Sequence, residues 1–173
     1  ILEINLSSNE VKVIKTSTDL SIDESYLSVP ETIDFPSADN SVSHGFYYPP
    51  TNRNFKGMDG EVPPLVVMLH GGPTSAAQAT LSLKTQYWTT RGFGVLDLNY
   101  RGSSGYGRAY RDQLIRKWGI VDVEDAVAGA EYLVSEKKAD PMRLVIRGGS
   151  AGGYTSLSAL TFANTFKAGA SLY

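Results

Sequence analysis

Gly148-Gly149-Ser150-Ala151-Gly152 fits the pattern Gly-x-Ser-x-Gly. A serine in this pattern is suited to nucleophilic acyl transfer when a strand enters the turn and a helix leaves it. The flanks meet that condition: Leu144 to Ile146 reads as a short buried strand and Ala151 to Ala163 as a helix. Small residues two positions to either side let the chains approach at such a corner. Ser150 would then project its hydroxyl from the end of the sheet, and the helix N-terminus behind it would favour developing negative charge. A second constellation, His70-Gly71-Gly72-Pro73, follows the apolar run Leu65 to Leu69. Its paired glycines leave backbone N–H groups unobstructed. The Gly72 and Ala151 amides are the expected oxyanion donors, each worth about 3 kcal/mol in a transition state. The plainer alternatives are a glycine-rich helix cap at Ser150 and an ordinary Gly-Pro turn after His70.

Other residues are weaker candidates. Arg101 lies in a glycine-rich loop, Arg101-Gly102-Ser103-Ser104-Gly105-Tyr106-Gly107-Arg108, after the strand ending at Leu98, where ligands of parallel sheets bind. Arg101 and Tyr154 are the candidate substrate contacts, with turn and packing roles as the alternative for Arg101. The loop spacing matches no nucleotide-binding fingerprint. Of the two histidines, His70 reads as an imidazole that shapes the hole and His44 as an ordinary strand residue. Neither fits the order Ser, then Asp or Glu, then His, of hydrolases with this corner. Asp122, Glu124 and Asp125 read as the acidic first turn of a helix, and no group of residues has metal-ligand spacing, so no cofactor or metal is expected.

Composition narrows the classes further. Sixteen Lys and Arg against 18 Asp and Glu give a net charge of -2, without the basic excess expected for nucleic acid or an anionic membrane. No apolar run reaches the roughly 18 residues of a membrane span. A soluble protein is expected, its compartment open with the cytoplasm favoured. The absence of Cys excludes disulfides and thiol chemistry. Nine of the 17 glycines fall within residues 71–72, 102–107 and 148–153, the three loops already singled out.

The elements that must position these loops follow from periodicity. Residues 1 to 15 alternate apolar and polar side chains about Ser7-Ser8-Asn9-Glu10, which predicts a half-buried hairpin. Thr16 to Ser28 reads as a link, with a domain boundary near residue 28. Strands are expected at Glu31 to Phe35, Val42 to Tyr48, Leu65 to Leu69, Phe93 to Leu98 and Leu144 to Ile146, with a last apolar segment at Ala168 to Tyr173. Ser75 and Gln78 have capping-box spacing, predicting a helix to Arg91 stopped by Gly92. Val123, Ala126, Val127, Ala130, Leu133 and Val134 mark another, capped by Asp122. Alternating strands and helices argue for an α/β fold, a mostly parallel sheet with helices on both faces.

Together, His70-Gly71-Gly72-Pro73, Asn99-Tyr100-Arg101-Gly102-Ser103 through Tyr106-Gly107, Trp118-Gly119, Asp122-Val123-Glu124-Asp125 and Gly148-Gly149-Ser150-Ala151-Gly152-Gly153-Tyr154 resemble the prolyl oligopeptidase family of serine peptidases. His-Gly-Gly-Pro is most similar to its acylaminoacyl-peptidase and dipeptidyl-peptidase-like branch. The resemblance covers residues ~30 to 173. It implies an α/β-hydrolase catalytic domain at 29–173 that follows a β-propeller, whose last piece would be 1–28. It also implies hydrolysis of short peptides through an acyl-enzyme on Ser150, with Gly72 and Ala151 as oxyanion donors. In that family the catalytic Asp and His come from later loops, and no His follows Ser150 here. The resemblance therefore implies a fold truncated before its last strands and an isolated chain that is inactive. An esterase or lipase, and a non-catalytic hydrolase-like binding domain, are the alternative readings.

Overall fold

A computed structural model describes residues 1–16 and 19–173. β1 (Leu2–Ile4) and β2 (Val11–Val13) pair antiparallel as a separate two-stranded sheet. The alternation predicted a half-buried hairpin, but Leu2, Ile4, Val11 and Val13 are all more than half exposed. Two strands alone have too little surface to cover one another's apolar face. Of the expected link, residues 17 and 18 lie outside the described residues, and Glu24–Tyr26 forms one 3-10 turn capped by the Asp23 carboxylate.

The Leu65-Val66-Val67-Met68-Leu69 run has no polar residue to turn toward water, so as a strand it needs cover on both faces. It forms β5 (Leu65–Leu69), buried throughout and interior to a six-stranded sheet. The others are β3 (Glu31–Pro36), β4 (Val42–Tyr48), β6 (Gly94–Asn99), β7 (Leu144–Gly149) and β8 (Ala168–Leu172), in the order β3-β4-β6-β5-β7-β8. β3 and β4 pair antiparallel, β4 joins β6 antiparallel, and the remaining pairs are parallel. The helices are α1 (Leu83–Thr89), α2 (Arg108–Asp112), α3 (Val121–Ser135) and α4 (Ala151–Phe162).

Side chains alternate across the pleat of β5 and so build two cores. Leu65, Val67 and Leu69 pack with Phe35, Leu96, Leu98 and Ile146 against Ala126, Ala130 and Leu133 of α3 and Ala159 of α4. Val66 and Met68 face the other way, with Tyr48, Val95, Trp88 and Phe93. Each fully buried Val, Leu or Phe contributes roughly 1.5–3 kcal/mol.

Two helix boundaries differ from expectation. Residues 75 to 82 are not helical, because contacts distant in sequence satisfy their backbone. The Asn99 carboxamide accepts from Ala77 N at 2.8 Å and donates to Ala77 O at 3.3 Å, while Ser104 N donates to Ser75 O at 2.9 Å. Ser82 caps α1 instead, its Oγ accepting from Thr85 N. α3 begins two residues earlier than the predicted Asp122 cap places it. Ile120 takes the cap position, and Asp122 sits inside the first turn with its carboxylate reaching back to Gly119 N at 2.6 Å.

Candidate active site

Leu69 stands in register with Leu98 on one side and Gly148 on the other, so the loops after β5, β6 and β7 emerge together at one edge of the sheet. Between β7 and α4 the chain turns on Ser150, whose φ of 55° and ψ of -124° are rare for a residue with a side chain. Holding it there costs of order 1–3 kcal/mol, which the packing around the corner must offset. The two outer glycines of the motif explain how the corner closes. A Cβ at Gly148 would strike the backbone of Gly152, and one at Gly152 would strike the carbonyl oxygens of Leu69 and His70. Ser150 itself is exposed, and its hydroxyl makes no hydrogen bond among the described residues. Its amide donates to Leu172 O at 3.2 Å, and its carbonyl accepts from Tyr154 N at 3.1 Å. The first-turn amides of α4, beginning with Ala151, have no backbone acceptor among the described residues. They give this helix end its positive character.

The His70–Pro73 loop runs alongside. Gly71 touches the corner: a Cβ there would lie 3.4 Å from Gly149 O and 3.5 Å from Ser150 Cβ. Gly72 has a φ of 124°, and a Cβ on it would meet Thr74 N and Ser75 N within 2.7 Å, so the position requires glycine. The Gly72 amide also has no backbone acceptor among the described residues. The His70 ring stacks on Tyr100 with centroids 4.4 Å apart; its Nδ1 is 2.7 Å from Gly71 O and its Nε2 2.7 Å from Ser103 Oγ. Burial pulls this imidazole below its ordinary pKa, against the opposing pull of the Gly71 carbonyl. The Tyr100 hydroxyl donates to the His70 and Pro73 carbonyls. Burial, and after it the Asp122 charge, push that hydroxyl's pKa far up, so it stays protonated.

Arg101, expected to touch substrate, is instead a core residue, 2% exposed. Its Nε donates to Asp125 Oδ1 at 2.9 Å and its Nη2 to Glu124 Oε2 at 2.8 Å, while its amide donates to the other Asp125 oxygen. Burial works against the charge, and the Asp125 and Glu124 carboxylates outweigh it, holding the guanidinium pKa above its usual value. Tyr154 lies one helical turn past Ser150 and packs on Trp118, centroids 4.9 Å apart; both rings are about half exposed. Asp122 was read as a plain cap, yet it is fully buried and binds Thr155 Oγ1, tying α3 to α4 just behind the corner. Burial raises its carboxyl pKa. His44 is taken up by Asp34 at 2.7 Å and by stacking on Tyr106, leaving it an ordinary strand residue, as expected. Among the described residues no cluster of His, Asp or Glu could hold a metal ion, and no helix is long and apolar enough to cross a membrane.

A mostly parallel sheet that turns through a strained, exposed serine into a helix is an α/β-hydrolase fold. The chain belongs to the prolyl oligopeptidase family, whose model matches residues 79–173, a span that includes Ser150, Ala151, Tyr154 and Arg101 and leaves out His70 to Pro73. It is similar to a puromycin-hydrolyzing peptidase of Mycobacterium tuberculosis, at 45% identity and a TM-score of 0.96 over 98% of this chain and 26% of that one. A puromycin hydrolase mutant complexed with PGG is 43% identical, with a TM-score of 0.92 over 97% of this chain and 25% of that one. The acylamino-acid-releasing enzyme of Arabidopsis thaliana is 38% identical over 96 residues, which are 56% of this chain and 13% of that enzyme. The chain thus spans about a quarter or less of the length of these relatives.

Proposed function

We propose that this chain carries the nucleophile and oxyanion-binding half of a serine peptidase site acting on short peptides. The observation that carries the reading is the placement of Ser150, strained and exposed, its hydroxyl without a hydrogen bond among the described residues, at the N-terminus of α4 and against Gly71. Its Oγ would attack the scissile carbonyl carbon as its proton passes to a general base. The Gly72 and Ala151 amides would hold the oxyanion. Collapse of the adduct breaks the C–N bond, the amine leaves with a proton, and water then hydrolyses the acyl ester on Ser150. Neither histidine is placed as the base, since His70 Nε2 is held by Ser103 and His44 by Asp34. An active protein must therefore bring a base to Ser150 from other residues. The exposed Tyr154 and Trp118 rings offer an apolar wall for a substrate side chain. The separate hairpin sheet, exposed on both faces, supports dividing the chain near residue 28.

The test is hydrolysis of short peptide amides by the natural gene product that carries this chain. Ser150→Ala is expected to lower kcat by several orders of magnitude without loss of fold. Undiminished turnover in that variant would overturn the reading.

A further inference from the structure

Trp118 and Tyr154 sit on separate pieces of chain, so something must hold their rings together near Ser150. Tyr154 belongs to the first turn of α4, its amide donating to Ser150 O at 3.1 Å. Trp118 lies in the exposed turn that precedes α3, and its ring meets Tyr154 with centroids 4.9 Å apart. Both rings are about half exposed, so apolar burial holds them only in part. Gly119 adds a close approach. With a φ of 85° it faces the Tyr154 ring, and a Cβ there would stand 2.9 Å from the hydroxyl and 3.0 Å from Cε1.

The Asp122 carboxylate joins the two pieces. Its Oδ1 accepts from Gly119 N at 2.6 Å, and its Oδ2 accepts from the hydroxyl of Thr155, the residue after Tyr154. Its base is firm, because Val121 and Val123 on either side are buried in the main core. Asp125, one helical turn further along α3, is neutralised by Arg101. Asp122 is also fully buried, yet apart from its own backbone it has only that amide and that hydroxyl as hydrogen-bond partners among the described residues. A buried carboxylate without a cation costs stability, so what it contributes is the direction of two hydrogen bonds. We infer that Asp122 is a positioning residue: it locks the Trp118 turn to the first turn of α4 and thereby shapes an aromatic wall that selects large apolar side chains at the cleaved residue. The selection rests on the serine-peptidase reading; the tether does not.

Two measurements test it. In the 173-residue chain labelled with 15N-tryptophan, the two indole N–H signals are assigned with a Trp88→Phe variant. Asp122→Ala is expected to shift the Trp118 signal and abolish its through-space contacts with the Tyr154 ring, while the Trp88 signal stays. Asp122→Asn keeps an acceptor for Gly119 N and offers a donor to Thr155, so it should leave both signals in place. Trp118 contacts that persist in a folded Asp122→Ala variant overturn the tether. Thr155→Val cuts the link from the other side and gives the same reading where Asp122→Ala does not fold. In the natural gene product, peptide p-nitroanilides ending in Phe and in Gly are compared. Asp122→Ala should lower the Phe-to-Gly ratio of kcat/KM on the order of tenfold, mainly through KM for the Phe substrate, and Asn should preserve it. An unchanged ratio, an equal loss for both substrates, or a parent enzyme that does not favour Phe overturns the selective role. If the parent hydrolyses neither, the peptidase reading fails, and the spectra still decide the tether.

Discussion

Gly71 and Ser150 are in contact across two loops: a Cβ at residue 71 would stand 3.5 Å from the serine Cβ and 3.9 Å from its Oγ. These are ordinary van der Waals distances, so the fold has room for a methyl group. On the proposed mechanism, a methyl this near the Ser150 Oγ would crowd the acyl group that has to meet the hydroxyl. Gly71→Ala should therefore keep its thermal midpoint while kcat/KM for peptides falls on the order of a hundredfold. Thermal melts beside steady-state kinetics check both halves; lost stability with retained activity would contradict the placement.

Arg101 separates a structural role from a substrate role. Removing the guanidinium leaves the fully buried Asp125 carboxylate, among the described residues, with only the Ser37 hydroxyl and the residue 101 amide. Breaking a buried pair from one side costs about 3–5 kcal/mol. Arg101→Met should lower the urea midpoint accordingly, with KM unchanged in the fraction that stays folded. A raised KM at unchanged stability would return Arg101 to the substrate site.

Asp97 makes stability depend on pH. Burial on the β6 face pushes its carboxyl up to about 6 from an ordinary 3.8, with Lys84 pulling the other way. The folded state thus binds this proton more tightly than the unfolded chain does. The associated stability is complete below the unfolded pKa and is lost as pH rises through about 6. Asp97→Asn removes that loss and should stabilise the protein by about 3 kcal/mol at pH 7. Below pH ~4 the two proteins should converge. Urea unfolding across this range is the check, and a pH-independent difference would refute the assignment.

How much of this was legible in the sequence depended on how local the cause is. The corner at Ser150 could be read because its strand, glycines and helix are contiguous, and β5 because Leu65 to Leu69 offers no residue for water. The start of α1 could not, since Asn99 grips Ala77 from 22 residues away. Arg101 looked like a ligand contact because its loop follows a strand; the acceptors that claim it arrive on α3, 23 and 24 residues later. The position of His70 directly after β5 was legible, but the orientation of its ring depends on Ser103, 33 residues on. The short helix α2 follows the glycine loop and carries no apolar period long enough to read.

The central claim is that the Ser150 hydroxyl is the acylated atom. Treating the natural gene product with a fluorophosphonate and locating the adduct by peptide mass spectrometry tests it most directly. The account predicts a single adduct on Ser150, absent from a folded Ser150→Ala variant, and much slower labelling of the 173-residue chain alone, whose two histidines are held elsewhere. An adduct on another residue, or labelling of the isolated chain as fast as that of the active protein, would contradict it.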